Sequence, residues 1–164
     1  MESLSPMRRT LLHIQGFDNV DDVTLVRTQN WIRFSPALCA TVAAVGTALA
    51  SPWVLWSLAV IAAAGALLSF HPFDLIYNLG IRRFSGTTKL PDNRAPRRFA
   101  CGLASVWLVV TGGLFAGGYT ITGYVLGASL VGVAVLVSTT HICIPSMIYR
   151  TACGQMPSFL HQRK

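Results

Sequence analysis

Two long stretches of this chain contain no ionisable side chain. Between Phe34 and Ser69, and again between Phe99 and Thr140, there is no Asp, Glu, Lys, Arg or His. Pumps, ion-coupled carriers and proton relays place such groups inside the membrane, so their absence argues against active transport and against a charged pore. Acidic residues are scarce throughout, with six Asp and Glu against thirteen Lys and Arg.

The two uncharged stretches are strongly apolar. The chain is 52% hydrophobic with a mean hydropathy of +0.53, which lies outside the range of soluble globular proteins. Four apolar segments can be distinguished, at 34–50, 53–70, 100–118 and 120–142. The sequence therefore predicts an all-α integral membrane four-helix bundle, built as two tandem hairpins with an interfacial amphipathic helix between them.

The basic residues all fall on one side of this pattern. The two links at Ser51-Pro52 and at 117–119 carry no charge, whereas all thirteen Lys and Arg lie in the N-terminal arm, the central loop and the tail. Basic loops stay in the cytoplasm, so we expect a bacterial inner-membrane protein with four spans and both termini cytoplasmic. Lipid head groups are the expected partners of the central arginines Arg82, Arg83, Arg94, Arg97 and Arg98. No nucleic-acid motif accompanies the charge.

These signals divide the chain into five parts: an N-terminal arm at 1–33, a first hairpin at 34–70, an interfacial helix and loop at 71–99, a second hairpin at 100–142 and a tail at 143–164. Residues 1–18 read as a weakly ordered arm, and Trp31 is expected to face the membrane surface. Ser35-Pro36 and Ser51-Pro52 read as helix starts, because Pro is favoured at the first helical position. The interfacial helix is predicted over 73–84, with Phe73, Ile76, Tyr77 and Phe84 on one face. Pro145 is expected to stop the fourth span.

Small residues recur in the second hairpin at helical spacing. Gly113 with Gly117, and Gly123 with Gly127, form two GxxxG pairs, a pattern that allows helices to approach closely. We predict that these four glycines lie at helix contacts. Packing within the chain and docking of another membrane subunit both remain open.

Four cysteines are present, but no CxxC pair. No metal site is predicted, although Cys residues with His71 and His141 would be soft-metal ligand types. Cys143 is the candidate reactive thiol. Because it follows the end of the fourth span, the negative end of the helix dipole is expected to disfavour its thiolate, with Arg150 as a possible compensating charge. No catalytic residue is therefore predicted, and Cys143 is the alternative.

The two histidines close the second helix of each predicted hairpin. A histidine at a helix end commonly bonds the last carbonyl groups, so no cofactor is predicted. Haem or chlorin ligation by His71 or His141 is the alternative.

The chain resembles an uncharacterised bacterial group of small four-span membrane proteins, classified as a domain of unknown function, over about residues 20–150. The resemblance is carried by Val20 to Asp22, by Arg33-Phe34 and Arg98-Phe99 before the two hairpins, and by a closing Cys-x-x-Cys-x-x-Tyr. In this chain the closing motif reads Cys143, Ser146 and Tyr149, so the second cysteine is replaced by serine. The resemblance implies the four-span fold and brings no function with it.

The favoured function is a non-catalytic accessory or scaffold subunit of a larger membrane complex, of respiratory or photosynthetic type, so other integral membrane subunits are expected partners. The reasons are the lack of ionisable groups in the spans, the small-residue faces and the absence of a catalytic constellation. One alternative is a membrane thiol-redox or sulfur-handling protein that acts through Cys143. A second alternative is a passive channel or carrier for a neutral solute.

Overall fold

The computed structural model describes residues 5–85 and 89–154, apart from the side chains at 81, 84 and 85. All the regular structure in these residues is helical. The α-helices are α1 (Pro6–Ile14), α2 (Asp22–Thr28), α3 (Phe34–Ala48), α4 (Pro52–Leu67), α5 (Pro72–Ile76), α6 (Arg82–Ser85), α7 (Ala95–Ala116), α8 (Thr120–Thr140) and α9 (Ile144–Ala152). A 3-10 turn at Trp31–Arg33 leads into α3, and a π-helical turn at Tyr77–Ile81 joins α5 to α6. The tail residues Arg163 and Lys164 and the side chain of Phe84 lie outside the described part.

Two helices are long and apolar enough to cross a membrane. These are α7 with 22 residues and α8 with 21 residues. A third candidate span is α4 together with the segment at 72–80, which are bent by 85° relative to each other. Taken alone, α3 and α4 have only 15 and 16 residues. Within the described residues the structure is therefore an all-helical protein with two or three candidate membrane spans.

Proline marks the beginning of most helices. Ser51 is the N-cap of α4 with Pro52 in its first turn, as the sequence predicts. The expectation about Ser35-Pro36 is wrong. Helix α3 begins at Phe34 directly after the 3-10 turn, so Ser35 is inside its first turn. The fourth long helix, α8, ends at Thr140, before Pro145, as expected. Pro145 itself lies in the first turn of α9, a helix that the sequence pattern did not indicate.

The four longest helices pack side by side. Helix α4 lies along α7 and α3 lies along α8, and contacts between α3 and α4 and between α7 and α8 complete the arrangement. Their shared core is built from small and aliphatic side chains: Ala43, Leu55, Leu58, Ala59, Ala62, Leu108, Phe115 and Leu130. Small residues allow the backbones to approach closely where the helices cross.

A second apolar core closes one end of this helical group. It contains Leu12, Phe17, Leu25, Ile32, Tyr77 and Leu90, which join the N-terminal arm to the segment after α4. The expectation of a weakly ordered arm is therefore wrong for its described residues. Trp31 does not face outwards but packs on the Tyr77 ring at a centroid distance of 4.8 Å. Since Tyr77 is fully buried, it also cannot belong to a membrane-facing stripe.

Candidate functional site: a cysteine-lined cavity

A cavity of about 150 Å³ lies between α3, α7, α8 and the start of α9. Its walls are mainly apolar and include Ala104, Trp107, Leu130 and Val137. Cys39 from α3, Cys101 from α7 and Cys143 before α9 all line it. These three cysteines are far apart in sequence, and only the packing of the helices brings them to one space. Cys153, the fourth, is exposed in the tail.

Cys143 occupies a position that differs from the sequence expectation. It is the N-cap of α9, because α8 ends at Thr140 and His141 turns the chain with a left-handed φ of 62°. The positive end of the α9 dipole therefore faces Cys143, and the expectation of an unfavourable helix C-terminus is wrong. The side chain is buried, with 7% of the residue exposed.

Ser146 supports the Cys143 sulfur. Its Oγ lies 3.0 Å from Cys143 Sγ and 3.2 Å from the carbonyl oxygen of Pro96. The hydroxyl has a single hydrogen. When Cys143 is a thiol, it can donate to Ser146 Oγ while Ser146 donates to Pro96. When Cys143 is a thiolate, Ser146 can turn its hydrogen to the sulfur instead, so this pair can accommodate either protonation state.

His71 presents a donor to a second cavity thiol. Its Nδ1 accepts the backbone N–H of Phe73 at 3.2 Å, so the proton of the neutral ring is on Nε2. Nε2 lies 3.8 Å from Cys39 Sγ and can donate to that sulfur. Both ring nitrogens are thus engaged, and ligation of a haem iron by His71 would require one of these contacts to break.

A buried ion pair stands beside this histidine. Asp74 Oδ1 lies 3.6 Å from Arg97 Nη2, and the two side chains are only 3% and 11% exposed. Asp74 also accepts from the Ser35 hydroxyl through Oδ1 and from the His71 backbone N–H at 3.3 Å through Oδ2. His71 and Asp74 form a capping box at the start of α5. That box, a His-Pro-x-Asp sequence, was the signal from which Asp74 could have been predicted.

The position of Arg97 differs from the one that the sequence predicts. It was expected at lipid head groups, but it is 9% exposed, lines the cavity and lies over the Phe17 ring at 5.6 Å. Arg98 is half-buried and donates to the carbonyl groups of Ala66 and Leu67 at the end of α4. The remaining three arginines of that set, Arg82, Arg83 and Arg94, are exposed.

His141 is not among the residues that line the cavity, and it forms hydrogen bonds with the N-terminal arm. Its Nε2 accepts from Arg33 Nε at 2.8 Å, and its carbonyl oxygen accepts from Gln15 Nε2 at 2.5 Å. Burial and the positive charges of Arg33 and Arg8 lower the pKa of His141 from 6.5 to about 4. The ring is therefore neutral near pH 7, and its Nε2 is occupied by Arg33.

Arg150 also bonds the N-terminal arm. Its Nε donates to the carbonyl oxygen of Ile14 at 3.0 Å, and its Nη2 donates to that of His13 at 2.5 Å. Nη2 also lies 3.5 Å from Asp18 Oδ1. The groups that the structure places at Cys143 are the Ser146 hydroxyl and the start of α9.

The four predicted packing glycines are in different surroundings. A Cβ atom on Gly123 would approach Phe115 to 2.7 Å, and one on Gly127 would approach Thr47 to 2.5 Å, so both lie at helix contacts. A Cβ on Gly117 would meet mainly Tyr119, its own neighbour in the turn. A Cβ on Gly113 would have no atom of the described residues within 4 Å.

The described residues contain no group of three or more His, Cys, Asp or Glu side chains arranged to hold a metal ion. The polar lining of the cavity consists of three thiols, the His71 imidazole, the Arg97 guanidinium, the Ser35 hydroxyl and the Gln15 amide, a set that suits thiol chemistry.

Residues 28–153 match the model of a protein family described as a domain of unknown function, DUF4395. The chain belongs to this family. The matched region contains helices α3 to α9 in full and all three cavity cysteines. No curated protein and no solved structure matches the chain.

Proposed function

We propose that this protein is a membrane thiol protein that handles sulfur at the cavity, with Cys143 as the reacting group. The observation that carries the proposal is the convergence of Cys39, Cys101 and Cys143 on one cavity. The three thiols come from separate segments of the chain, and two of them have a polar side-chain group within hydrogen-bond distance of the sulfur. The Ser146 hydroxyl can donate to the Cys143 sulfur, and such a donor stabilises a thiolate, which is the nucleophilic form of cysteine.

The step that suits this geometry is transfer of sulfane sulfur from a polysulfide. The Cys143 thiolate attacks a terminal sulfane sulfur atom, a new S–S bond forms on Cys143, and the S–S bond inside the polysulfide breaks. The leaving group is a polysulfide shorter by one sulfur, and it keeps the electron pair. No outside oxidant or reductant is needed, because the polysulfide supplies the oxidised sulfur.

We further propose that the protein is a four-helix bundle in a bacterial inner membrane, with the cavity at the cytoplasmic end. Helix α3 would rise about 22 Å and α7 about 33 Å, against a hydrocarbon core of about 30 Å, so the first hairpin requires local thinning of the bilayer. Exposed Trp53 and Tyr119 suit the opposite interface. The exposed arginines Arg82 and Arg94 suit lipid head groups on the cytoplasmic side.

Sulfur transfer can be measured on the purified protein in mild detergent. After incubation with polysulfide, peptide mass spectrometry should show one added sulfur on Cys143, and Cys143→Ser should abolish this product. Cys153→Ser is the matched control, because Cys153 is exposed and outside the cavity. An equal rate of modification at Cys143 and Cys153 would contradict the proposal.

A second candidate function is the accessory or scaffold subunit, and Gly113 favours it. This glycine has open space around its Cα, so no contact within the described residues accounts for a small residue there. A partner helix could pack closely at this point. Gly113→Leu should then release a co-purifying membrane subunit while the isolated protein stays equally stable. Unchanged co-purification with Gly113→Leu would exclude docking at this face.

A further inference from the structure

We infer that the cavity opens to the lipid between α7 and α8, and that Cys143 takes its sulfur from a neutral, apolar donor dissolved in the membrane. This inference rests on the proposed sulfur-handling function and names the class of donor that the same site uses. It begins from the distribution of polarity around the cavity, which differs between its inner wall and its rim.

The polar side chains of the cavity lining, apart from the cysteines, are all buried. They are Gln15, Ser35, His71 and Arg97, which are between 1% and 9% exposed. The indole N–H of Trp107 is donated to the carbonyl oxygen of Leu126, so its polar atom is also engaged. Among the described residues, the lining that keeps accessible surface is therefore formed by apolar side chains and thiols.

The exposed part of the lining locates the opening. The cavity is partly open at the protein surface, and the most exposed residue of its lining is Leu103 on α7, at 39%. Val133 and Val137 on α8 line the same cavity and are partly exposed. Because these three side chains come from two neighbouring helices, the opening lies between α7 and α8.

The surface around this opening is the part of the protein best suited to lipid. Helices α7 and α8 are long and apolar enough to cross a membrane, and Val106 and Val135 on their outer sides are 62% and 45% exposed. Leu103 follows Arg98 by five residues, which is about 7.5 Å along α7 at about 1.5 Å per residue. Arginines near the ends of spans extend to the interface, so the opening lies inside the hydrocarbon layer.

An entrance in hydrocarbon selects a neutral donor. A charged molecule loses its hydration when it enters lipid, whereas neutral sulfane sulfur has no ionic hydration to lose. The three thiols of Cys39, Cys101 and Cys143 give the apolar cavity soft, polarizable sulfur atoms. A ring of sulfur atoms or a dialkyl polysulfane is neutral, apolar and soft, and it contains the oxidised sulfur that a thiolate attacks.

The step with a sulfur ring balances without another reactant. The Cys143 thiolate, to which the Ser146 hydroxyl can donate, attacks one atom of the ring. A bond forms between Cys143 Sγ and that atom, and one S–S bond of the ring breaks. The far sulfur atom of the opened chain keeps the electron pair and carries the negative charge.

The entrance can be tested with two thiol reagents that share a reactive group and differ chiefly in charge. N-cyclohexylmaleimide dissolves in lipid, whereas a sulfonated maleimide stays in water. The protein is held in lipid nanodiscs, which leave both membrane faces accessible, and exposed Cys153 outside the cavity is the internal reference. The ratio of the modification rate at Cys143 to that at Cys153 should be about a hundredfold higher for the apolar reagent, which is the order of the exclusion of a charged group from hydrocarbon.

Two matched variants test the position of the opening. Val137 lines the cavity, whereas Val135 does not and is exposed on the same helix. Val137→Phe should slow the modification of Cys143 by the apolar reagent severalfold and leave Cys153 unchanged, and Val135→Phe should change neither rate. Equal rates at Cys143 in the two variants would overturn the inference. The comparison of reagents on the parent protein needs no variant, so it decides the entrance even when Val137→Phe fails to fold.

Cyclo-octasulfur dissolved in the nanodisc lipid is the probe for the donor. Peptide mass spectrometry after alkylation should show added sulfur on Cys143 and a slower gain in Val137→Phe. If aqueous polysulfide modifies Cys143 but cyclo-octasulfur does not, or if the sulfonated reagent reaches Cys143 as readily as the apolar one, the inference is wrong and the proposed function stands. If the apolar reagent is preferred but neither sulfur source modifies Cys143, the entrance stands and the sulfur-transfer function is wrong.

Discussion

Removal of the Asp74 carboxylate should be among the most damaging single changes in this protein. The Asp74 and Arg97 side chains are 3% and 11% exposed and their charged atoms lie 3.6 Å apart. At an effective dielectric constant of about 20, that separation corresponds to about 4.6 kcal/mol of attraction. Asp74→Ala leaves Arg97 as a buried, uncompensated cation, and breaking such a pair costs about 3–5 kcal/mol.

The same reasoning predicts recovery when both charges are removed. Asp74→Asn combined with Arg97→Met replaces the pair with neutral groups of similar volume, and exchanges of this kind are often neutral. We expect the double variant to be more stable than Asp74→Ala by about 2 kcal/mol or more.

Both effects can be measured by reversible unfolding in mixed detergent micelles, with the folded fraction followed by tryptophan fluorescence. Ser35→Ala is a useful comparison, since it removes one hydrogen bond to Asp74 and leaves both charges in place. A loss below about 1 kcal/mol for Asp74→Ala, or a double variant no more stable than Asp74→Ala, would refute the picture of a coupled buried pair.

Three further predictions follow from particular contacts. Gly127→Leu should destabilise the protein by about 2 kcal/mol or more in the same unfolding assay, because its Cβ would lie 2.5 Å from a side chain on α3, whereas Gly113→Leu should have little effect. The stability contributed by His141, whose pKa is about 4 in the folded protein against 6.5 ordinarily, should be complete above pH 6.5 and be lost as the pH falls towards 4. The unfolded chain takes up this proton first, so the parent should lose more stability over that interval than His141→Gln does. Ser146→Cys should create a dithiol with Cys143 that oxidises to a disulfide and is visible as a loss of two titratable thiols, because the two side chains are already in contact at 3.0 Å. Two unchanged free thiols after oxidation would place the residues farther apart.

The helix pattern could be predicted closely where local rules decide it. Ser51-Pro52 marks the start of α4, and the expected fourth span at 120–142 differs from α8 at Thr120–Thr140 by two residues. The pattern at Pro145 did not reveal the helix that follows, because a proline near a helix end is compatible both with stopping one helix and with starting the next. That single ambiguity concealed α9 and reversed the expected dipole at Cys143.

The position of Arg97 could not be predicted from its neighbours in sequence. Arg94, Arg97 and Arg98 lie within five residues of one another and have the same side-chain chemistry, yet the first is exposed, the second buried and the third half-buried. Arg94 precedes α7, which starts at Ala95. Arg97 and Arg98 are consecutive residues of the helix and therefore point in different directions around it. Only the tertiary structure brings Asp74, on α5, to within 3.6 Å of Arg97.

The sequence by itself determined the class of this protein, because membrane solvation acts on local composition. Long segments without charge, separated by uncharged turns on one side and basic segments on the other, are sufficient to predict apolar helices and a membrane location. The tertiary structure alone decided the candidate site. Cys39, Cys101 and Cys143 are separated by 62 and 42 positions in the chain, and no local rule relates them. They meet because α3 packs on α8 and α4 on α7, and that pairing depends on the shapes of whole helix faces.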